Sequence, residues 1–244
     1  MSERAGSERP QSGRIVVINP NSSVDVTEGI DAAMAPLRFA DGPRIDCLTL
    51  AEGPPGIETQ RHVDGVVGPL CALIEREGNS ADAFVIACFS DPGLHSAREA
   101  TPQPVMGISE SAITTALTLG ERFGIIAILP AGVARHRRYI RQMGLEGRLA
   151  GDRPIGVGVA GLNASGAEDA VEGRMTAVGR QLIQDDGADV LIMGCAGMAR
   201  YRQRLEHTLG VPVIDPSQAA VAQAIAAVRL GYRNNKTNLN VEQA

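Results

Sequence analysis

The hydrophobic pattern of the chain contains two similar stretches, separated by a little under half its length. Residues 81–88 and 188–195 each begin with Ala-Asp, continue as an apolar run and end on a cysteine. A short apolar run after a proline follows each of them, at 104–108 and 212–214. A continuous apolar run of this length predicts a strand buried on both faces, as in a parallel sheet. The repeat therefore indicates a duplicated half-domain, with one thiol at the carboxyl end of an equivalent strand in each half.

The rest of the pattern alternates between strands and helices. Apolar, β-branched runs predict further strands at residues 14–18, 45–50 and 124–129. Helices are predicted from residue 24 onward and at 59–77, 109–121, 133–143, 168–184 and 216–230. Asp91 before Pro92 is expected to cap the helix that follows Cys88, and Asp215 has capping-box spacing to Gln218. Residues 144–165 show no clear element.

This alternation predicts an α/β fold with two pseudo-symmetric, Rossmann-like lobes, mostly parallel sheets and the active site in the cleft between them. Residues 14–108 plus 216–232 are predicted to form the first lobe, and 109–215 the second. The polar residues 1–13 and 233–244 are expected to be disordered tails. In open α/β sheets, ligands bind at the carboxyl ends of the strands, where both cysteines fall.

Composition and charge narrow the classes of function. The chain has 244 residues, a net charge of −5 and no long block of like charge, which argues against nucleic acid and membrane surfaces as partners. No segment approaches the roughly 20 apolar residues of a transmembrane helix, and residues 1–13 do not resemble a signal peptide. Four cysteines without CxxC spacing favour a reducing, cytoplasmic location over disulfides or a zinc site. We expect a homo-oligomer that takes a small-molecule substrate.

Several other motifs are weaker indications of function. The single lysine, Lys236, lies in the polar tail. A pyridoxal-phosphate Schiff base, which needs a buried lysine, and a P-loop, which needs Gly-Lys-Ser/Thr, are therefore both excluded. Residues 156–161 fit the GxGxxG string of nucleotide sites but open no predicted helix. The histidines are scattered without metal-ligand spacing, and most of them are expected at the surface. The arginines of 135–141 are expected to form a solvent-exposed helix face rather than to bind a phosphate. We expect neither a metal nor a cofactor.

The candidate chemistry centres on Cys88 and Cys195. Each thiol is predicted to lie at a helix N-terminus, where backbone N–H groups and the helix dipole lower its pKa toward or below neutrality. Two thiols that face each other across a cleft suit the removal of a proton from one face of a carbon and its return to the other. Cys47 and Cys71 lack this context and are predicted to be core residues.

The carbanion formed in such a reaction needs stabilisation. The backbone N–H groups that follow the two cysteines are candidates for holding a developing enolate oxygen. The candidate side chains for the same role are those of Asn19, Asn21, Ser22 and Ser90. The alternative reading of the Asn and Ser cluster is simple helix capping.

The motifs that contain these residues resemble a known family. Asn-Pro-Asn-Ser-Ser at 19–23, Ala-Cys-Phe-Ser-Asp-Pro-Gly-Leu at 87–94 and Met-Gly-Cys-Ala-Gly-Met at 193–198 look like the Asp/Glu/hydantoin racemase superfamily. The similarity is greatest to its hydantoin racemase branch, which includes allantoin racemases, and it spans roughly residues 14–232. The resemblance implies a cofactor-independent two-base racemase of 5-substituted hydantoins or allantoin, acting at the ring carbon next to the carbonyl.

The resemblance also assigns residues. Cys88 and Cys195 match the two catalytic cysteines of the family, and the residues after them, Phe89, Ser90, Ala196 and Gly197, are implied to contact the substrate. The triplets Cys-Phe-Ser and Cys-Ala-Gly are less polar than those of the amino-acid racemases in the superfamily, as expected for an uncharged ring. Aryl-malonate decarboxylases retain only the second cysteine, so Cys88 argues against their chemistry.

Three alternatives remain open at this point. The first is an Asp/Glu-type amino-acid racemase, and the second is a maleate-type cis–trans isomerase with Cys88 as nucleophile. The third is not an enzyme but a two-lobed small-molecule binding protein with inert thiols.

Overall fold

A computed structural model describes residues 13–162, 164 and 166–234 as alternating strands and helices. The strands are β1 (Arg14–Asn19), β2 (Arg44–Thr49), β3 (Ala83–Ile86), β4 (Val105–Gly107), β5 (Phe123–Ala127), β6 (Leu149–Pro154), β7 (Val190–Met193) and β8 (Val213–Ile214). The α-helices are α1 (Val24–Ala33), α2 (Gln60–Gly65), α3 (Val67–Glu77), α4 (Leu94–Ala100), α5 (Ile108–Leu119), α6 (Pro130–Gln142), α7 (Val159–Leu162), α8 (Glu168–Gln184), α9 (Arg202–Leu209) and α10 (Pro216–Leu230). Short 3₁₀ helices lie at Ala35–Leu37, Glu146–Arg148 and Ala196–Tyr201. Within the described residues, none of the helices is long and apolar enough to cross a membrane.

The strands form two parallel four-stranded sheets with the same topology, β2-β1-β3-β4 and β6-β5-β7-β8. The predicted α/β fold with duplicated sheets is therefore confirmed. The apolar strands β3, β5 and β7 are buried along their whole length, because helices cover both faces of each sheet. The C-terminal helix α10 packs on β3 and β4 of the first sheet and against α5. The predicted lobe boundary at 108/109 falls between the last strand of the first sheet and the first strand of the second, and the boundary at 215/216 follows the last strand of the second sheet. Both boundaries stay a prediction.

The Ala-Asp pair at the start of each repeat sets the strand register. Asp82 donates its backbone N–H to the carbonyl of Arg14 at 2.7 Å, and its carboxylate accepts the N–H of Arg14 at 2.9 Å. In the second copy, Asp189 donates to the carbonyl of Arg122 at 3.0 Å and accepts the N–H of Arg122 at 3.0 Å. Each aspartate thus aligns the start of its own strand with the start of the central neighbouring strand.

The carboxyl ends of the same strands are aligned by a second repeated hydrogen bond. The N–H of Ala87 donates to the carbonyl of Ile18 at 2.8 Å, and the N–H of Gly194 donates to the carbonyl of Ile126 at 2.9 Å. The cysteine of each repeat follows one residue later. Both thiols therefore leave their sheets at equivalent points.

Three expectations for individual elements are wrong. Residues 144–165, which show no clear pattern, hold β6 and α7. The sequence of β6 contains Gly, Asp and Pro because it is an edge strand, where burial is partial and a proline costs no ladder hydrogen bond. The helix predicted at 59–77 divides at Val66 into α2 and α3, and α6 begins at Pro130 rather than at residue 133.

One glycine of the GxGxxG string, Gly158, lies at a local contact. The N–H of Val159 donates to the carboxylate of Glu58 at 2.9 Å. A Cβ on Gly158 would lie 2.6 Å from the same carboxylate oxygen, so a larger residue would displace the Glu58 side chain from this position. This contact joins the loop after β2 to the loop after β6.

Most of the residues predicted to form disordered tails, 1–12 and 235–244, lie outside the described residues. Of those that are described, Gly13 accepts a hydrogen bond from the N–H of Arg44 at 2.9 Å. The N–H of Asn234 donates to the carbonyl of Pro102, also at 2.9 Å.

Asp91 caps a different helix from the one expected. Its backbone has a φ of 41°, and α4 instead begins after Gly93. The carboxylate of Asp91 accepts the backbone N–H groups of Ser109 at 2.9 Å and Glu110 at 2.8 Å, which are the free donors at the start of α5. The loop that carries Cys88 is thus tied to the following strand–helix junction.

This tie leads to a prediction about Gly107, the residue before α5. A Cβ at Gly107 would lie 2.4 Å from the carboxyl carbon of Asp91, which two hydrogen bonds hold in place. We expect Gly107→Ala to lower the free energy of unfolding by about 1–3 kcal/mol in urea titrations. Gly173→Ala is the matched control, because Gly173 is exposed within α8 with open space around it, and it should be neutral or stabilising by up to ~1 kcal/mol. Equal stability of the two variants would contradict the prediction.

Candidate active site

A single pocket lies at the carboxyl ends of the four central strands, and both thiols line it. Asn21 comes from the turn after β1, Cys88 from the loop after β3, Ile128 from the end of β5 and Cys195 from the loop after β7. The pocket spans about 450 Å³, which includes space open to solvent. Its other walls are mainly apolar, and none of the described residues that line it is acidic; the apolar residues are Ile57, Ala87, Phe89, Val159 and Ala196. The two sheets thus contribute equivalent loops to one site.

Burial dominates the electrostatics of Cys88. It raises the pKa of the thiol to about 12. The backbone N–H of Ser90 lowers this pKa, the negative charges of Cys195 and Asp91 raise it, and the charge of Arg135 lowers it. A negative charge on Cys195 therefore disfavours the ionisation of Cys88.

Cys195 has a similar balance with different neighbours. Burial raises its pKa to about 11, the backbone N–H of Gly197 lowers it, and the charges of Asp215 and Glu58 raise it. The residue directly precedes the 3₁₀ helix Ala196–Tyr201, so it does lie at a helix start. Cys88, by contrast, is not at a helix start, because α4 begins only at Leu94, so that part of the expectation is wrong. The expectation that helix termini lower both thiol pKa values toward neutrality is also wrong, because desolvation of the thiolate outweighs one N–H group at each sulfur.

The second predicted cap is present near Cys195. Asp215 accepts the N–H of Gln218 at 2.7 Å and so caps α10, as its spacing predicts. Burial raises the pKa of Asp215 to about 6, against the effect of the N–H groups at the helix start. Asp215 therefore positions the helix that closes the first sheet, and its charge also acts on the thiol of Cys195.

The two asparagines of the Asn-Pro-Asn turn have different positions. Asn19 is buried beneath the turn, where its amide N–H groups donate to Asn21 and Thr27 at 3.0 Å and to the carbonyl of Ser23 at 3.1 Å. The side-chain oxygen of Asn21 accepts from Asn19 and from the N–H of Ser23 at 2.9 Å. Because both donors occupy that oxygen, the amide NH₂ is the group that Asn21 has available for the pocket it lines.

Some of the other candidate substrate contacts line the pocket and some do not. Phe89, Ser90 and Ala196 line the pocket. Gly197 does not, but its N–H acts on the sulfur of Cys195, and a Cβ at Gly197 would lie 3.8 Å from that sulfur. Asn19 and Ser22 are outside the lining, with the N–H of Ser22 donating to the carbonyl of Pro54 at 3.0 Å.

The remaining two cysteines lie away from the pocket. Cys47 is on β2, where burial raises its pKa to about 12, and Cys71 is a half-buried residue of α3. Within the described residues, which include all four cysteines, every thiol is free.

The sequence interpretation missed two residues of α6 that line the pocket. His136, expected at the surface, is 6% exposed, and its Nδ1 lies 2.9 Å from the carboxylate of Asp152, whose side chain is fully buried. Its ring contacts Phe89 edge-on, with 5.0 Å between ring centroids. Arg135, expected to be solvated, is half-buried beside Cys88. Helical periodicity contains the missing signal, because Gly132, His136 and Ile140 recur every four residues and form the buried face of α6.

Comparison with known proteins is consistent with this arrangement. The family model described as Asp/Glu/hydantoin racemase matches residues 15–224. The hydantoin racemase of Paenarthrobacter aurescens is 38% identical over 228 residues, which cover 92% of this chain and 95% of that protein. The structure of the allantoin racemase from Klebsiella pneumoniae superposes with a TM-score of 0.88 at 33% identity, covering 93% of this chain and 92% of that one.

A more distant similarity concerns the fold alone. The crystal structure of an arylmalonate decarboxylase superposes with a TM-score of 0.63 at 18% identity, covering 88% of this chain and 92% of that one. It shares the two-sheet architecture. From the extent of the family match and of the hydantoin racemase alignment, the chain belongs to the Asp/Glu/hydantoin racemase family.

Proposed function

We propose that this protein is a cofactor-independent racemase of 5-substituted hydantoins or allantoin, with Cys88 and Cys195 as its two bases. The observation that carries the proposal is the pair of thiols at equivalent strand ends, which line one pocket. The hydantoin and allantoin racemases among the similar proteins support the same substrate class.

The reaction transfers one proton at each face of the ring carbon next to the carbonyl. The thiolate of one cysteine removes the hydrogen from its face as a proton, and the electron pair of the C–H bond moves into an enolate with the adjacent carbonyl. The thiol of the other cysteine then donates its proton to the opposite face, which inverts the carbon. The cycle leaves the first cysteine as a thiol and the second as a thiolate, which is the state that acts on the opposite enantiomer.

Hydrogen-bond donors around the thiols stabilise the negative charge at each stage. The N–H groups of Ser90 and Gly197 serve the two thiolates, since each favours the charged form of its cysteine. The amide NH₂ of Asn21 is the donor that we assign to the enolate oxygen, because its own oxygen is already occupied. Asn19 supports Asn21 from beneath.

The polarity of the pocket favours a hydantoin over a free amino acid. An amino acid carries an ammonium group, which needs an anionic partner when it is removed from water. The walls of the pocket are mainly apolar, and its polar residues include no acidic side chain among those that the structure describes. An uncharged cyclic ureide avoids this cost.

The proposed chemistry requires a reducing cell compartment. Two thiols that act as bases have to remain reduced, which fits the predicted cytoplasmic location. The homo-oligomeric state also stays a prediction.

Single substitutions of the two cysteines test the mechanism. We expect Cys88→Ser and Cys195→Ser each to lower racemisation by about 10²–10⁴-fold, because each removes the acid or base on one face. In heavy water, each variant should still exchange the ring hydrogen of only one enantiomer, and the two variants should favour opposite enantiomers. Polarimetry and proton NMR on a 5-substituted hydantoin and on allantoin measure both effects.

Cys71→Ser is the control, because Cys71 is a thiol outside the pocket, and it should retain full activity. Full racemisation in either active-site variant would exclude the two-base mechanism. Turnover of aspartate, glutamate or maleate in place of the cyclic ureides would indicate one of the alternative activities.

The thiol pKa values predict how reactivity depends on pH. The two thiols have pKa values of about 12 and about 11. At any pH below its pKa, the thiolate fraction of a cysteine rises tenfold for each unit by which the pH increases. We therefore expect the rate of iodoacetamide alkylation at Cys88 and Cys195, followed by peptide mass spectrometry, to rise with a slope of about one in log rate up to pH ~10. A plateau already at pH ~8 would mean that the N–H groups dominate over burial, as the helix-terminus argument predicts.

A further inference from the structure

A second chamber adjoins the pocket that contains the thiols. Phe89, Ser90, Arg135 and His136 line both spaces, so the two are direct neighbours. The outer chamber spans about 690 Å³, which includes space open to solvent. When the ring of a hydantoin lies between the two cysteines, this chamber has space for the substituent on its ring carbon.

The outer chamber differs from the inner one in charge. Arg135 and Arg138, three residues apart on α6, both line it, and its lining contains no Asp or Glu from the described part of the chain. Its other polar residues include Gln60 and Gln142. In a chain of net charge −5, this is a local concentration of positive charge at the entrance to the pocket.

Neither arginine has an acidic partner among the described residues. Arg135 donates to the carbonyl of Ala131 on its own helix at 3.0 Å, and its Nε is buried without a partner. Arg138 donates to the side-chain oxygen of Gln60 at 2.8 Å. By contrast, Arg141 on the same helix pairs with Glu146 at 2.7 Å.

Glu110, an acidic residue near the chamber, is already paired. Tyr139, which also lines the chamber, donates to Glu110 at 3.1 Å, and Glu110 forms an ion pair with Arg98 at 2.9 Å. Burial and the charge of Arg138 both lower the pKa of Arg135, so the two guanidinium groups repel each other in a partly desolvated space. An anion placed between them would offset that cost.

We propose that the outer chamber binds a carboxylate on the substituent of the ring carbon, so that the preferred substrates are hydantoins of acidic amino acids. This inference rests on the proposed racemase function and specifies its substrate class. The uncharged ring lies between the thiols, and the carboxylate side chain extends past Phe89 to Arg135 and Arg138. A planar carboxylate matches the paired N–H donors of a guanidinium group.

A matched pair of substrates isolates the charge. Hydantoins with a 2-carboxyethyl or a 2-carbamoylethyl substituent have nearly the same shape, but only the first is anionic. We expect kcat/KM for the acid to exceed that for the amide by about tenfold at low ionic strength and by less at high salt. Arg138→Gln and Arg135→Gln should each reduce this ratio toward one.

The ratio also separates this role from an effect on the thiols. If Arg135 served only to stabilise the thiolate of Cys88, Arg135→Gln would lower the rate for both substrates equally and leave the ratio unchanged. Arg137→Gln is the control, because Arg137 is exposed on the same helix and lines neither chamber, and it should preserve the ratio. A wild-type ratio of one or less, or a ratio unaffected by both substitutions, would overturn the inference.

Binding distinguishes failure of this inference from failure of the proposed function. In Cys88→Ser/Cys195→Ser, which has no thiol in the pocket to move a proton, calorimetry should show tighter binding of the acid than of the amide. Equal binding there, together with racemisation of both compounds by the wild type, would refute the carboxylate site alone. Tighter binding of the acid without any racemisation by the wild type would refute the racemase function and support the site.

Discussion

The alignment of strand ends is the constraint on which the rest of the structure depends. In each sheet, the residue that follows the strand before the cysteine donates its N–H to the carbonyl of the next-to-last residue of the neighbouring central strand. The donor is Ala87 in one copy and Gly194 in the other. These hydrogen bonds fix where the chain leaves the sheet. A shift by one residue would turn every side chain to the other face, and the thiol would then point into a layer of helices. The pocket therefore depends on backbone geometry before any side chain contributes to it.

The second constraint is that the loops at these strand ends are packed rather than open. Asp91 ties the first cysteine loop to α5, and Glu58 ties the loop after β2 to the segment before α7. Packing of this kind excludes water, which raises both thiol pKa values and at the same time makes any thiolate that forms a stronger base. The difficulty of ionising the thiols and their strength against a carbon acid have the same cause.

Much of this architecture is predictable from the sequence, and the exceptions have physical reasons. The strands that carry Cys88 and Cys195 are predictable because an unbroken apolar run has to be buried on both faces. Strand β6 is not, because an edge strand that is only partly buried tolerates Gly, Asp and Pro. The thiol pKa values depend on how deeply the loops pack, which is tertiary information. His136 was missed because a polar residue on a buried helix face is recognisable only after the face itself is identified from its four-residue spacing.

The surroundings of the two cysteines are unequal, although the backbone that presents them is repeated. Arg135 lies beside Cys88, whereas Asp215 and Glu58 act on Cys195. For a racemase this inequality has a thermodynamic limit, because mirror-image substrates have the same free energy in solution. Their specificity constants must then be identical, whatever the environment of each proposed base. The asymmetric charges can only make one enantiomer bind more tightly and turn over more slowly than the other, so that the two differ in saturation behaviour while the final mixture is always even.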